Sequence, residues 1–314
     1  MTHRLKVLVT CPPMLKEMDA LRKYFHEKNI TITEPDVTQT LTESELIKIL
    51  PSHDGWIIGD DPATKNVLTA GKSGRLQAAV KWGVGVDNVD FKACADLNIP
   101  ITNIPNVFGS EVSDIAIGYV IALARQTFQI DRGVRNGEWP KIQGISLAGK
   151  TAAVVGYGDI GRAVVRKLRA LDLNVIVYDP GIERSSVVSG VSISSWPSRL
   201  EEVDFLLLTC SLNSSSFHMV NEEVFSLIKK GVRIVNVSRG ALINEVHLVK
   251  ALKSEIVHSV ALDVFEVEPL PIKSMLREHP ACIFGSHNAS NTKDAVLRVS
   301  HIAIEKLFHF LKVK

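Results

Sequence analysis

Residues 151–161 read Thr151-Ala152-Ala153-Val154-Val155-Gly156-Tyr157-Gly158-Asp159-Ile160-Gly161, an apolar run feeding three glycines in the spacing Gly-x-Gly-x-x-Gly. The run carries no charge, so it reads as a strand buried on both faces. Ile160, Val164, Leu168 and Leu171 recur at helical spacing and predict a helix that opens at the last glycine. Residues 174–178 are a second apolar strand, ending at Asp179, eighteen residues after Gly161. A glycine triplet alone is weak, but strand, loop, helix, strand and terminal acid together make the dinucleotide-binding fingerprint. Gly156 permits the tight turn, Gly158 lets the backbone approach a pyrophosphate, and Gly161 lets helix and strand pack closely. Asp159 and Ile160 lie at the helix start, where unpaired N–H groups and the positive dipole end meet phosphates. Asp179 is expected to accept from the adenosine ribose hydroxyls and to repel a 2′-phosphate, which makes NAD the expected cofactor. Arg184 could soften that preference, with Pro180 and Gly181 forming a turn between the two.

The fingerprint sits mid-chain. About 150 residues precede it, enough for another domain, and 314 residues agree with two. The chain is 46% hydrophobic and 22% charged, with 36 basic and 34 acidic residues spread along it, a globular composition. No basic tract points to nucleic acid, and no apolar run approaches a membrane span. The apolar run 5–10 is too short for a signal peptide and reads as a first strand. Cys11, Cys94, Cys210 and Cys282 lack any paired spacing, so no metal site is expected and the thiols read as reduced core residues of a cytoplasmic protein.

Upstream of the fingerprint, apolar runs at 5–10, 55–59, 78–82 and 101–103 alternate with helix-compatible stretches such as 15–28 and 43–49. Such alternation predicts an α/β fold, a doubly wound parallel sheet covered by helices. Residues 111–126 form a helix apolar on nearly every face, which must be buried on several sides, between domains or between subunits. Residues 133–149 are polar and glycine-interrupted, and read as an arm or linker. Downstream, 203–208, 232–237, 259–264 and 282–285 are further strands, and 291–313 is a closing helix.

Three polar residues follow strands of this second half: Arg239 after 234–238, Glu268 after 263–265, and His287 after 284–286. Ligands of open parallel sheets bind at the carboxyl ends of strands. An arginine there can grip a carboxylate bidentately and polarise the neighbouring carbonyl. A histidine can exchange a proton with the developing alkoxide, and a carboxylate on the imidazole fixes its tautomer. The set suits hydride transfer between a nicotinamide and a 2-oxo acid. Each residue alone has an ordinary structural reading, and the other nine histidines keep theirs. Asp87 and Asp90 read as braces of a helix start.

The sequence resembles the D-isomer-specific 2-hydroxyacid dehydrogenases from about residue 50 to 305. The likeness is carried by residues 83–90 (GVGVDNVD), 156–161 (GYGDIG), 236–243 (NVSRGALI), 261–269 (ALDVFEVEP) and 285–288 (GSHN), in the family's order. It implies two doubly wound parallel-sheet domains with a cleft between them. A flavodoxin-like substrate domain would span 1–103 with 288–314, and a Rossmann NAD domain 104–287. It implies substrate binding by Arg239 and an acid–base pair in Glu268 and His287. It also assigns the substrate carboxylate to the amides of Val84 and Gly85, a nicotinamide contact to Asp263, and cofactor contacts to Thr209, Cys210 and Ser238. Closure of the cleft and a homodimer through the nucleotide domains are expected with it. Lys81 falls where phosphoglycerate dehydrogenases place a phosphate-binding base; it either meets a substrate phosphate or is a solvated strand-end lysine beside Trp82. Two departures stand out. Thr209-Cys210-Ser211-Leu212-Asn213 replaces a usual His-x-Pro-Leu-Thr type segment, and Val112-Ser113-Asp114 replaces Val-Ala-Glu. No regulatory domain is expected after the final helix. The family also includes corepressors that keep the fold, so an NAD(H)-sensing binding protein with little turnover is the alternative function.

Overall fold

Two all-parallel sheets organise the chain in the computed structural model, which describes residues 4–182 and 190–313. Arg184 lies outside the described residues. The chain divides into two compact units, one formed by Met1–Val107 with Asn291–Lys314 and the other by Phe108–Ser290.

In the first unit, β1 (Lys6–Val9), β2 (Thr31–Thr33), β3 (Gly55–Ile58), β4 (Ala78–Lys81) and β5 (Ile101–Thr102) run in the order β2-β1-β3-β4-β5. β3 and β4 are buried along their whole length and are apolar except at Lys81, the last residue of β4. Local chemistry sets the helix starts. Thr42 and Glu45 form a reciprocal capping box ahead of Glu43–Ile49, and Asp90 accepts from Ala93 N at 2.8 Å ahead of Phe91–Asp96. The helix-compatible stretch 15–28 holds the end of one helix, Pro12–Lys16, and a second, Met18–Glu27, with a break at Glu17. The closing helix, Lys293–Phe310, is capped by Thr292 and packs on β3 and β4. A side chain at Gly55 would come 3.1 Å from Leu307, and Trp82 Nε1 donates to Ser300 Oγ at 3.1 Å, so the chain's last helix is welded to this unit.

In the second unit, β6 (Thr151–Val155), β7 (Asn174–Tyr178), β8 (Val191–Ile193), β9 (Phe205–Leu208), β10 (Val232–Asn236), β11 (Val257–Leu262) and β12 (Cys282–Phe284) run in the order β12-β11-β10-β9-β6-β7-β8. The order reverses between β6 and β9, which opens a crevice at their carboxyl ends. Helix Gly109–Arg125 packs on Asp159–Ala170, and Lys167 Nζ binds Ser113 Oγ at 2.6 Å and Asp114 Oδ1 at 2.5 Å across that contact. Within the chain this helix buries Val112, Ala116, Val120 and Leu123, while Ile115 and Ile121 on it are each 38% exposed. The arm is shorter than expected. Gln126, at φ +54°, turns the chain into a second helix, Thr127–Arg135, that takes up residues 133–135. All four cysteines are free thiols, three of them buried. No helix among the described residues is long and apolar enough to cross a membrane.

Candidate active site

The glycine loop occupies the crevice between β6 and β9. Gly156 has φ +95°, and a Cβ there would lie 2.6 Å from Cys210 Cα, so neither that backbone shape nor that approach admits a side chain. Gly158 has open space where a side chain would stand, and it precedes helix Asp159–Ala170 without a side-chain cap. The helix therefore begins two residues before Gly161, not at it. Gly161 sits in its first turn, where a Cβ would lie 2.0 Å from Gly156 O. Asp159 and Ile160 are the first residues of that turn, so their amides belong to the helix's unpaired donors. A bare loop over a helix N-terminus fits a pyrophosphate.

Asp179 does more than wait for a ribose. Its Oδ2 accepts from Tyr157 N at 2.7 Å and its Oδ1 from Gly181 N at 2.8 Å, so it braces the glycine loop from the end of β7. A carboxylate has about four acceptor sites, so two such bonds leave capacity for a ligand hydroxyl. Thr209 Oγ1 reaches Val155 O at 3.0 Å and Gly156 O at 2.9 Å, and Ser238 Oγ donates to Cys210 O. These hydroxyls tie the ends of β6, β9 and β10 together. Burial pushes the Cys210 thiol up to about 11, which leaves it un-ionised beside Met219.

The three polar residues predicted for chemistry all belong to the second unit, and the structure couples two of them directly. His287 Nδ1 lies 2.7 Å from Glu268 Oε2, while Glu268 Oε1 accepts from Phe265 N at 2.9 Å. An ionised carboxylate only accepts, so Nδ1 carries the hydrogen that meets Glu268. His287 has φ +55°, a left-handed shape costing a non-glycine residue roughly 1–3 kcal/mol, and its N–H is fastened to Asp263 O at 2.7 Å. Asp263 in turn accepts from Asn288 N at 3.1 Å and Ala289 N at 2.8 Å, and burial raises its carboxyl above the ordinary range. Arg239 follows β10. Asn236 Nδ2 donates to its carbonyl at 2.8 Å, and its own Nη1 donates to Ser238 O at 2.9 Å.

In the first unit, Gly83 has φ +101°, and the loop after it is pinned by Ile104 N to Gly83 O at 2.9 Å and by Asn103 Nδ2 to Val84 O at 2.8 Å. The amides of Val84 and Gly85 donate to no acceptor among the described residues. Lys81 is not a solvated lysine. It is 3% exposed, and its ammonium donates to Asp60 Oδ1 at 3.2 Å and Trp82 O at 3.0 Å.

A family model described as "D-isomer specific 2-hydroxyacid dehydrogenase, NAD binding domain" matches residues 117–289, wholly within the second unit. The chain is 30% identical over 306 residues to hydroxypyruvate reductase of Thermotoga maritima, covering 96% of this chain and 97% of that one. The chain belongs to the D-isomer-specific 2-hydroxyacid dehydrogenase family. It is also 34% identical over 288 residues to D-3-phosphoglycerate dehydrogenase 3, chloroplastic, of Arabidopsis thaliana, covering 90% of this chain and 47% of the relative. It spans about half the length of the curated phosphoglycerate dehydrogenases it matches. Among solved structures, the TT0316 protein from Thermus thermophilus superposes with a TM-score of 0.87 at 27% identity, covering 98% of this chain and 97% of that one.

Within this family frame, three supports escaped the sequence reading. Gly240 is one: a Cβ on it would lie 1.8 Å from Phe265 C, so the Arg239 loop rests directly on the backbone leading to Glu268. Asn236 is another, and both stood inside a quoted motif without a role. The third is a pair, His218 and Glu266, whose Nε2 and Oε1 are 2.6 Å apart. His218 carries no local signal, since its partner lies in a different loop.

Proposed function

We propose that this chain is an NAD-dependent D-2-hydroxyacid dehydrogenase, interconverting a D-2-hydroxy acid and its 2-oxo acid. The observation that carries the reading is the 2.7 Å contact between His287 Nδ1 and Glu268 Oε2, at strand ends of an NAD-binding unit. Bound at the glycine loop, the nicotinamide cofactor supplies or accepts the hydride. His287 Nε2 gives its proton to the oxygen of the reduced carbonyl and recovers one from the alcohol in the reverse direction. Glu268, held by Phe265 N, keeps the imidazole turned and balances its charge when protonated. Arg239 holds the carboxylate and polarises the carbonyl. Asp263, Thr209, Cys210 and Ser238 form the wall for the nicotinamide half, and Gly156, Gly158, Asp159, Ile160, Gly161 and Asp179 hold the rest. The amides of Val84 and Gly85 remain candidates for the substrate carboxylate on the strength of motif 83–90.

Lys81 supports a substrate without a phosphate tail. The Lys81 ammonium is almost wholly buried and already neutralised by Asp60, so a phosphate would find its charge paired and its approach restricted. Glyoxylate and hydroxypyruvate are therefore expected to give higher kcat/KM than 3-phosphohydroxypyruvate in a steady-state panel with NADH. A reversed ranking, with a Lys81→Ala penalty confined to the phosphorylated acid, would return Lys81 to the site. Turnover absent for every 2-oxo acid despite NADH binding would overturn the dehydrogenase reading itself.

Cofactor choice follows from Asp179. A 2′-phosphate would meet a carboxylate already fixed by Tyr157 N and Gly181 N, so it cannot swing aside without loosening the glycine loop. NADH is expected to exceed NADPH in kcat/KM, and Asp179→Ala is expected to weaken NADH binding as well as discrimination. An equal or better value with NADPH defeats this. We also propose self-association into a homodimer through the exposed apolar side chains Ile115, Ile121, Phe128, Val134 and Trp139 of the second unit, and a cytoplasmic location consistent with four free thiols.

A further inference from the structure

Behind the Glu268 loop lies a second histidine–carboxylate pair that the reaction does not use. His218 has φ +50°, and its N–H donates to Ala241 O at 2.8 Å, which ties the 217–220 loop to the segment just after Arg239. The side chain of Asn244 fixes the ring. Asn244 Oδ1 accepts from His247 N at 3.0 Å as a helix cap, so its Nδ2 is the atom facing His218 Nδ1 at 3.3 Å. An amide NH₂ can only donate, so Nδ1 accepts and Nε2 carries the hydrogen that points at Glu266 Oε1, 2.6 Å away.

The same Glu266 oxygen is also held from the backbone. Glu245 N donates to Glu266 Oε1 at 3.2 Å, and Glu266 N donates to Glu245 Oε1 at 2.7 Å. Glu245 is raised above the ordinary carboxylate range, first by burial and further by the charges of Glu266 and Glu268, and Glu266 stands two residues before Glu268 in the chain. Both side chains of the His218–Glu266 pair are largely covered, at 29% and 27% exposure, so the contact is more than a surface ion pair. Next to Glu266, Gly240 presses on the carbonyl of Phe265, whose own N–H holds Glu268 Oε1. The 217–220 loop and the 239–245 connection thus converge on the short stretch that ends in Glu268.

We propose that His218 and Glu266, steadied by Asn244 and Glu245, are positioning residues that set Glu268 against His287. The proposal rests on the catalytic reading of Glu268 and His287 given above. In this role the pair acts through Glu268 and takes no part in proton or hydride transfer itself. Its work is to keep a proton-exchanging dyad within a few tenths of an ångström of its productive geometry, where displacement is costly.

A double-mutant cycle tests it, with kcat measured on glyoxylate and NADH, alongside NADH affinity and Tm. His218→Ala is expected to lower kcat roughly 10- to 100-fold while leaving NADH affinity nearly unchanged. In a Glu268→Gln background the same substitution should cost almost nothing further, because the group it positions is gone. His218→Gln, which keeps a side-chain donor toward Glu266, should restore part of the loss. If His218→Ala does not fold, Glu266→Gln supplies the same cycle. Equal losses in both backgrounds, or an unaltered kcat in the first, would overturn the positioning role while leaving the dyad intact. An unaltered kcat for Glu268→Gln alone would remove the dyad, and the positioning role with it.

Discussion

Replacing His287 by alanine is expected to lower kcat by roughly 10²–10⁴ while leaving NADH affinity almost unchanged. The imidazole sits after β12 and meets Glu268 through Nδ1, so Nε2 is its one remaining nitrogen and the atom assigned to proton exchange. The cofactor loop lies after β6 and takes its brace from Asp179, so affinity should not follow kcat down. Backbone strain complicates the alanine variant, because His287 has φ +55°. Asparagine tolerates that region far better than most residues, so His287→Asn separates loss of the proton from loss of the loop. Both variants should show the same fall in kcat, with Asn closer to the unaltered protein in Tm. A kcat near the unaltered value in either variant would take His287 out of the chemistry.

The parts of the site that sequence revealed are those in which one short segment holds both the conformation and the chemistry. The glycine loop is such a segment. Its positive φ at Gly156 and the presence of a helix directly after it are legible in residues 151–161, whereas the approach to Cys210 and the first helical residue, Asp159, come from the fold. Buried strands are equally visible, since β3, β4, β9 and β10 are buried along their length and are mostly apolar, with Lys81, Arg233 and Asn236 as the exceptions. The edge strands Thr31–Thr33 and Val191–Ile193 were not read, because three half-exposed residues give too little alternation to detect.

Lys81 shows where local reading fails. It ends a strand buried at every position, and nothing in Ala78-Ala79-Val80-Lys81 says whether the ammonium turns outward. Asp60, two residues past the end of the neighbouring strand β3, decides the matter by pairing with the buried ammonium. The His218–Glu266 pair escaped for the same reason: its meaning lies in a fold that brings segments distant in sequence to one place. Long-range pairing of polar groups is set by topology, and composition or periodicity carries no trace of it.

Arg239 yields the second large expected effect, and the sharper one for substrate. Arg239→Ala is expected to lower kcat/KM for a 2-oxo acid by roughly 10²–10³, the loss that follows removal of a fixed donor to a developing oxyanion. The residue leaves β10 in extended backbone, at φ −139° and ψ 139°, and its guanidinium is held along one edge by Ser238 O. Its backbone is held as well, by Asn236 Nδ2 on its carbonyl and by Gly240 against Phe265. A planar fork held this firmly matches a carboxylate with two parallel bonds, and a lysine can offer only a point charge there. Arg239→Lys should therefore recover part of the KM loss through charge but little of kcat, since the carbonyl would no longer be polarised along a fixed direction. NADH affinity should stay level in both variants, which separates this loss from damage to the cofactor wall at Ser238. Steady-state kinetics with a 2-oxo acid series reads the split directly, and an Arg239→Ala enzyme with unchanged kcat/KM would remove the guanidinium from the substrate site.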